Sequence, residues 1–501
     1  MEKDKNWDKY IGMLLYIPAL AAAAVMLMHT GSGDVWYDEL FSVKLGSMTY
    51  GQILDMTAKD VHPPMYYWYL KTFTYLFGAE DYIAACKLAS FVPFAAMLLL
   101  GVTLVRKDYG WLCSGIYCLL ISLMPNAAVY SVEIRMYSLC MLFLTIMGIL
   151  LGRMAGEQNK HFYWVIFYLC GVLTAYTQYF ALVGVGGLYI ILLIKSFRAK
   201  KNAHRYKLGW CGLVVSSIFL YLPWASYLVK QLENVGSGYW IEPMSFKSLF
   251  GCIKYIYLPE ATLRGYILAV LMIIVTLASY GLCIYRDRAQ IKWDICIMGP
   301  AAMACMVVVG YIFTAIGSPI FTYRYMICAL GIFCLGLAYA ISRVRQLPVK
   351  LIMILVIVFM GYRTTVNFNV EENKKAQEYP HAQELLDSIE SNSMIISNFE
   401  QVTALSAYLK EDCDSYIYDE FVTDPIIMDL FKDNVYEMHA QDVIHYIEGD
   451  MYDDIYFFGT GTAREDYVAD WEEAGIKVTL VDECLIERYW INIYRLEKAD
   501  E

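Results

Sequence analysis

Apolar runs of membrane-crossing length recur along the first 366 positions, separated by shorter polar stretches. At roughly 20 residues per span, they predict helices at 11–29, 82–105, 111–128, 136–153, 162–177, 180–194, 208–228, 266–285, 295–315, 325–341 and 350–366, eleven in all. The third meets Pro125-Asn126 and the sixth is short, so these two are the weakest. A long polar, aromatic-rich stretch, His29 to Phe77, separates the first two spans. Within it the spaced apolar residues of Leu40 to Met56 predict a helix lying in the membrane interface. Pro63-Pro64 predicts that the aromatic run Tyr66 to Phe77 opens a second, because proline suits a first helical turn.

Past residue 370 the pattern changes to short segments. Helical stretches at 381–390, 400–410, 424–434, 439–447 and 463–474 alternate with β-rich ones at Met394–Ser397, Ser415–Tyr418, Ile455–Phe458, Lys477–Val481 and Tyr489–Tyr494. That alternation predicts a small α/β domain. Gly459-Thr460-Gly461-Thr462 follows one of these strands and reads as a strand-to-helix turn in preference to a phosphate loop. The expected division is a membrane domain over 1–370, with its outer loop at 30–80, and a soluble domain over 371–501.

Composition sharpens this picture. Of 501 residues, 58% are hydrophobic and 18% charged, which excludes an ordinary soluble protein. The net charge of −11 divides unevenly: from Glu371 onward 9 Lys and Arg face 32 Asp and Glu, and residues 1–370 carry 30 against 18. The first part is built for lipid and the second for water. Basic residues concentrate in alternate short connections, starting with Lys3, Lys5 and Lys9, so the positive-inside rule puts the N-terminus in the cytoplasm. With eleven spans, the loop His29–Phe77, Tyr130–Tyr137, Lys230–Arg264 and the acidic tail then share the extracytoplasmic side. The run Tyr10–Met28 has no small-residue cleavage site and reads as a helix that stays. Twelve of the 14 cysteines precede residue 370, mostly within apolar runs, where a thiol acts as a small hydrophobe. Cys413 and Cys484 alone sit in the tail and form a candidate disulfide.

Candidate chemistry gathers at the outer face. Asp38 and Glu39 are adjacent acids at a predicted helix end. They suit a loop cap, or a general base with a neighbour that orients it or holds a cation. Asp60 and His62, two residues apart, add an acid and an imidazole, and equally suit a cap and a turn before Pro63. Glu133 and Arg135, with Tyr137, enter the fourth helix; charges at a membrane edge are costly unless paired or wet, which makes function the default reading. Arg324, with Tyr325 beside it, enters the tenth helix, and its planar fork matches a phosphate; a snorkelling interface arginine is the alternative. Tyr179 and the pair Tyr239-Trp240 present aromatics at the same face, as a belt or as platforms for sugar rings.

The order WxDE (Trp36 to Glu39), DVHPPxYY (Asp60 to Tyr67), YSxExRMYSL from Tyr130, YTQYFAL from Tyr176, YLPW followed by GYW at Gly238 to Trp240, and YRY at Tyr323 to Tyr325 resembles the bacterial GT-C glycosyltransferases of the family 39 type. These relate to the protein O-mannosyltransferases and include the aminoarabinose transferases of lipid A. The resemblance covers about residues 30–330. It implies a polytopic α-helical GT-C membrane protein that takes a sugar from a polyprenyl-phosphate carrier and moves it, with inversion, to an extracytoplasmic glycan, lipid or protein. It further implies Asp38 as the base with Glu39 beside it, Asp60 and His62 lining the cavity, and Arg135 and Arg324 on the donor phosphate. Some GT-C relatives use a divalent cation and others do not, so a metal on Asp38, Glu39, Asp60 and His62 stays an open alternative. The expected partners are a polyprenyl-phosphate sugar, membrane lipid and the acceptor, with no nucleic acid.

Two other classes compete. A flippase of lipid-linked sugars calls for ionisable residues at mid-membrane and broken helices, whereas the acids here lie in loops and the span interiors are nearly free of charge. A non-catalytic receptor would bind cell-wall polymer through the tail. Sugar transfer by the purified protein separates both from the enzyme.

Overall fold

The computed structural model describes every residue except 1, 79–80, 155–159, 200–201, 236–240, 288–291, 419–424, 439–441, 450, 487 and 499–501. All eleven apolar runs fold as helices. Among the described residues eight helices are long and apolar enough to cross a membrane: Trp7–Gly31, Tyr82–Tyr109, Tyr179–Arg198, Ala203–Leu232, Leu263–Tyr285, Trp293–Ala315, Tyr323–Ser342 and Leu347–Asp387. Three shorter apolar helices, Trp111–Leu123, Tyr137–Arg153 and His161–Ala175, answer to the remaining runs. The chain is a multi-pass membrane protein. In lipid a helix satisfies its backbone internally, which is why apolar runs of this length fold in no other way.

Two compact units divide the chain, residues 1–31 with 48–369, and residues 32–47 with 370–501. The boundary near 370 coincides with the change of composition, but residues 32–47 belong to the second unit and not to the membrane bundle in which the sequence pattern puts them.

In the first unit, helix Tyr323–Ser342 is the core: 94% of its apolar window is buried. It packs against Trp111–Leu123, Tyr137–Arg153 and Trp293–Ala315. Glycines let these helices approach. At Gly299 an added Cβ would stand 2.3 Å from the Phe333 Cα, and at Gly115 it would stand 2.3 Å from the Gly12 carbonyl oxygen. Small residues at such crossings replace the hydrophobic drive that lipid removes. Gly115→Val is accordingly expected to lower stability by about 1–3 kcal/mol, the usual cost of overpacking, read as a lower melting temperature in detergent.

Glu260, in the connection before helix Leu263–Tyr285, accepts both arms of Arg363 at 3.2 and 2.7 Å and the Asn367 amide at 2.9 Å. Arg363 foremost, then Asn367, holds this carboxyl at about 2, well under its ordinary 4.5. A depressed carboxyl stabilises most above its unfolded pKa. The contribution is therefore full above about 4.5, declines below that and is gone once pH falls through about 2. Hydrogen exchange of residues 258–262 across that window should follow the same course.

The second unit is an α/β domain. Its strands are β1 (Met394–Ser397), β2 (Asp414–Tyr418), β3 (Val435–Met438), β4 (Ile455–Gly459), β5 (Ile476–Ile486) and β6 (Tyr489–Lys498), ordered β3-β2-β1-β4-β6-β5. The first four are parallel, and β6 runs antiparallel to both β4 and β5. β1 and β4 are buried at every position, as expected for parallel strands covered on both faces. Ile396, Tyr416, Phe457, Trp471 and Leu496 lie in the core. β3 went unpredicted. No disulfide joins Cys413 and Cys484; both are free and buried.

Candidate functional site

Two sets of the predicted residues are held by different parts of the chain. In the first unit, helix Tyr50–Lys59 ends at Asp60, and helix Met65–Phe77 starts after Pro64. The amide of Met65 donates to the Tyr176 carbonyl at 3.0 Å, fixing the turn between them. Asp60 Oδ2 meets His62 Nδ1 at 3.0 Å, and His62 Nε2 meets Arg135 Nη2 at 3.3 Å. The guanidinium can only donate. One tautomer satisfies both contacts: Nδ1–H donates to Asp60, and Nε2 accepts from Arg135. The sequence motifs DVHPP and ExRMY thus meet through one imidazole.

Arg135 is 2% exposed and Glu133 is buried too, at the irregular step between helices Ala127–Val132 and Tyr137–Arg153. Tyr137, fully buried, packs edge-on against Tyr130 with centroids 4.8 Å apart, and Tyr255 donates to the Tyr130 hydroxyl at 2.6 Å. The Tyr137 hydroxyl lies within electrostatic reach of both Arg135 and Arg324, and that of Tyr130 within reach of Glu133 and Arg324. Both predicted arginines therefore act electrostatically on Tyr137.

His62 also lines a cleft of about 530 Å³, open mouth included, together with Val61, Gln178, Tyr179, Leu228, Gln231 and Tyr325 among others. Phe180 and Tyr325 stack at 4.8 Å and 17° to form part of its wall. The walls are mainly apolar, with amide, phenol and imidazole groups set among them. Tyr239 and Trp240, predicted for the same face, lie outside the described residues.

Sequence reasoning missed Gln231. It is 3% exposed, accepts from the Tyr179 hydroxyl, and donates through Nε2 to the Thr57 carbonyl at 2.8 Å, three residues before Asp60. Trp224 Nε1 donates to the same Tyr179 oxygen at 2.9 Å. An isolated amide three residues past an apolar run was the available signal. Gln231→Leu leaves buried partners unsatisfied, so it is expected to cost about 1–3 kcal/mol, seen as a lower melting temperature and as slower turnover.

The second unit holds Asp38 and Glu39 in the first turn of helix Tyr37–Ser47. Glu39 is 5% exposed, and its Oε2 accepts from the Trp36 amide at 3.2 Å. This is the carboxylate half of a capping box, so Glu39 closes the helix. Asp38 is half-buried beside it. Tyr489 is near enough that burial, and then the Asp38 carboxylate, push its phenol above the ordinary value. Among the described residues no group of three His, Cys, Asp or Glu side chains is placed to hold a metal ion.

Neither a protein-family model nor a curated protein sequence matches the chain. Solved structures do. ArnT from Cupriavidus metallidurans in the apo state superposes with a TM-score of 0.61 at 11% identity, over 97% of both chains. The same protein bound to undecaprenyl phosphate gives 0.60 at 10% identity, again over 97% of each. The chain has the ArnT fold. An Archaeoglobus fulgidus oligosaccharyltransferase matches 88% of this chain and 68% of its own at a TM-score of 0.44 and 11% identity. The ArnT likeness runs the length of both chains, so it takes in the C-terminal α/β unit as well as the helices.

Proposed function

We propose that the protein transfers a sugar, with inversion, from a polyprenyl-phosphate donor to an acceptor on the extracytoplasmic face, the N-terminus being cytoplasmic. The observation that carries this reading is the meeting of Arg135 and Asp60 on His62, which itself lines a mainly apolar cleft, with Arg135 and Arg324 both acting electrostatically on Tyr137. A lipid phosphate needs a cationic head site next to apolar walls, and this arrangement supplies both. The ArnT fold, seen elsewhere with undecaprenyl phosphate bound, supports the same reading.

A sugar on a polyprenyl phosphate is already activated. The protein has to orient the acceptor, take its proton and stabilise the departing phosphate. Asp38 is the base in this reading. The acceptor oxygen attacks the anomeric carbon from the face opposite the phosphate, its proton passes to Asp38, and the electron pair of the breaking C–O bond stays on the phosphate facing Arg135 and Arg324. Glu39 keeps the helix turn that carries Asp38.

The test is twofold. Lipids and surface glycans from cells with and without the intact gene are compared by mass; accumulation of one polyprenyl-phosphate sugar together with loss of that sugar from one glycan, lipid or protein names donor and acceptor at once. The purified protein in liposomes containing that lipid should then release free polyprenyl phosphate when acceptor is supplied. Unchanged lipid and glycan profiles in the deletion strain would remove the proposal.

A further inference from the structure

The second unit runs β1 to β2 to β3 outward on one side and then returns to β4 on the other side of β1. Its topological switch point is therefore the crevice at the carboxyl ends of β1 and β4, the place where open α/β sheets carry their functional groups. Asn398 ties the two strand ends together: its Nδ2 donates to the Thr460 carbonyl at 2.9 Å, and its Oδ1 accepts from the Thr460 amide at 3.0 Å. Glu400 opens the helix that follows β1, and the turn at Arg488 brings Tyr489, the first residue of β6, to the same edge. Phe399 and Tyr489 pack edge-on at 5.5 Å.

The turn from Trp36 to Glu39 is held here. The Tyr37 hydroxyl donates to Glu400 Oε1 at 3.1 Å, and the Arg488 guanidinium lies 3.7 Å from the centroid of the Trp36 ring. Further along the same helix, Lys44 reaches Glu411 at 3.4 Å and lies over the rings of Tyr408 and Phe431. Trp36 and Tyr37, the two residues before Asp38, are thus fastened at the switch point, and the Asp38 carboxylate acts electrostatically on Tyr489 at the same edge.

We infer that the C-terminal unit positions the base: Glu400, through Tyr37, and Arg488, through Trp36, fix the Asp38 carboxylate at the switch point of the sheet. Both are positioning residues, and the inference rests on the reading of Asp38 as the base. It assigns the acidic tail a part in the transfer step that the tail's own sequence gives no motif for.

The experiment uses the full-length protein in liposomes with its polyprenyl-phosphate sugar and compares Tyr37→Phe, Glu400→Leu, Glu400→Gln, the double variant Tyr37→Phe/Glu400→Leu, and Arg488→Ala, with Asp38→Asn alongside. Tyr37→Phe, Glu400→Leu and Arg488→Ala should each lower kcat about tenfold, with the donor KM within twofold of wild type. Glu400→Gln keeps an oxygen that accepts from the phenol and should stay within twofold in kcat. The double variant should be no slower than the slower single one, because both remove the same bond. Hydrogen exchange of amides 37–47 should rise in the impaired variants and not in Glu400→Gln. Faster exchange with unchanged kcat would overturn the inference, as would unchanged exchange and kcat together. An inactive Asp38→Asn beside fully active Tyr37→Phe, Glu400→Leu and Arg488→Ala would sink the positioning role and leave the base assignment standing. An active Asp38→Asn would remove both.

Discussion

Asp38→Asn is expected to slow sugar transfer by about 10²–10⁴-fold, the range for losing a general base, while the protein keeps its melting temperature. Asparagine has the size of the carboxylate and cannot take the acceptor proton. The helix that carries position 38 should survive, because its cap is supplied by Glu39, whose carboxylate accepts from the Trp36 amide. A neutral side chain in a first helical turn forfeits a favourable dipole interaction, worth about 0.3–1 kcal/mol, too little to unfold the unit. Glu39→Gln makes the contrast: the amide oxygen still accepts from Trp36, so transfer should fall far less than in Asp38→Asn. Turnover of both variants in liposomes checks the pair, and equal losses would shift the base assignment toward Glu39.

Arg135→Lys carries the second large effect, an expected loss of about 10²–10³-fold in transfer, the scale for removing one donor to developing charge. Arginine gives one arm to His62 Nε2 from a planar fork whose geometry can match two acceptor oxygens at once. A lysine retains the charge as a point on a flexible stem and cannot match that planar geometry. The donor KM should rise as well, since the phosphate is present in the ground state. A variant with unchanged KM and kcat would take Arg135 out of the phosphate site and leave Arg324 to fill that role.

The spans were legible because a bilayer admits few alternatives to a helix some 20 residues long. Boundaries were less so. The predicted third helix, 111–128, stops at Leu123, where Met124 turns extended and Asn126 adopts a left-handed φ of 64°. The interfacial helix predicted over Leu40 to Met56 is two helices, Tyr37–Ser47 and Tyr50–Lys59. Thr49 and Gln52 form a reciprocal capping box that starts the second, a signal present in the sequence and overridden there by the apolar spacing. β3 was missed because its pattern is buried only at its two ends, Val435 and Met438. For the site, the meeting of Asp60, His62 and Arg135 was foreshadowed by residue type alone. Position 135 is 73 residues from His62, and only tertiary packing brings such positions into hydrogen-bond range. The same holds for the grouping of Asp38 and Glu39 with a tail that begins more than 300 residues later.

That grouping makes the second unit discontinuous in sequence, and a fragment beginning at residue 370 is consequently an incomplete protein. It lacks helix Tyr37–Ser47, leaving bare the surfaces of Glu400, Tyr408, Glu411 and Phe431 that Tyr37 and Lys44 cover. The membrane bundle cut at the same point retains residues 32–47 with nothing from the tail to hold them. Two-piece expression divided at 370 should therefore recover function only when both pieces are made together, and a synthetic peptide of residues 32–47 should raise the melting temperature of the isolated tail.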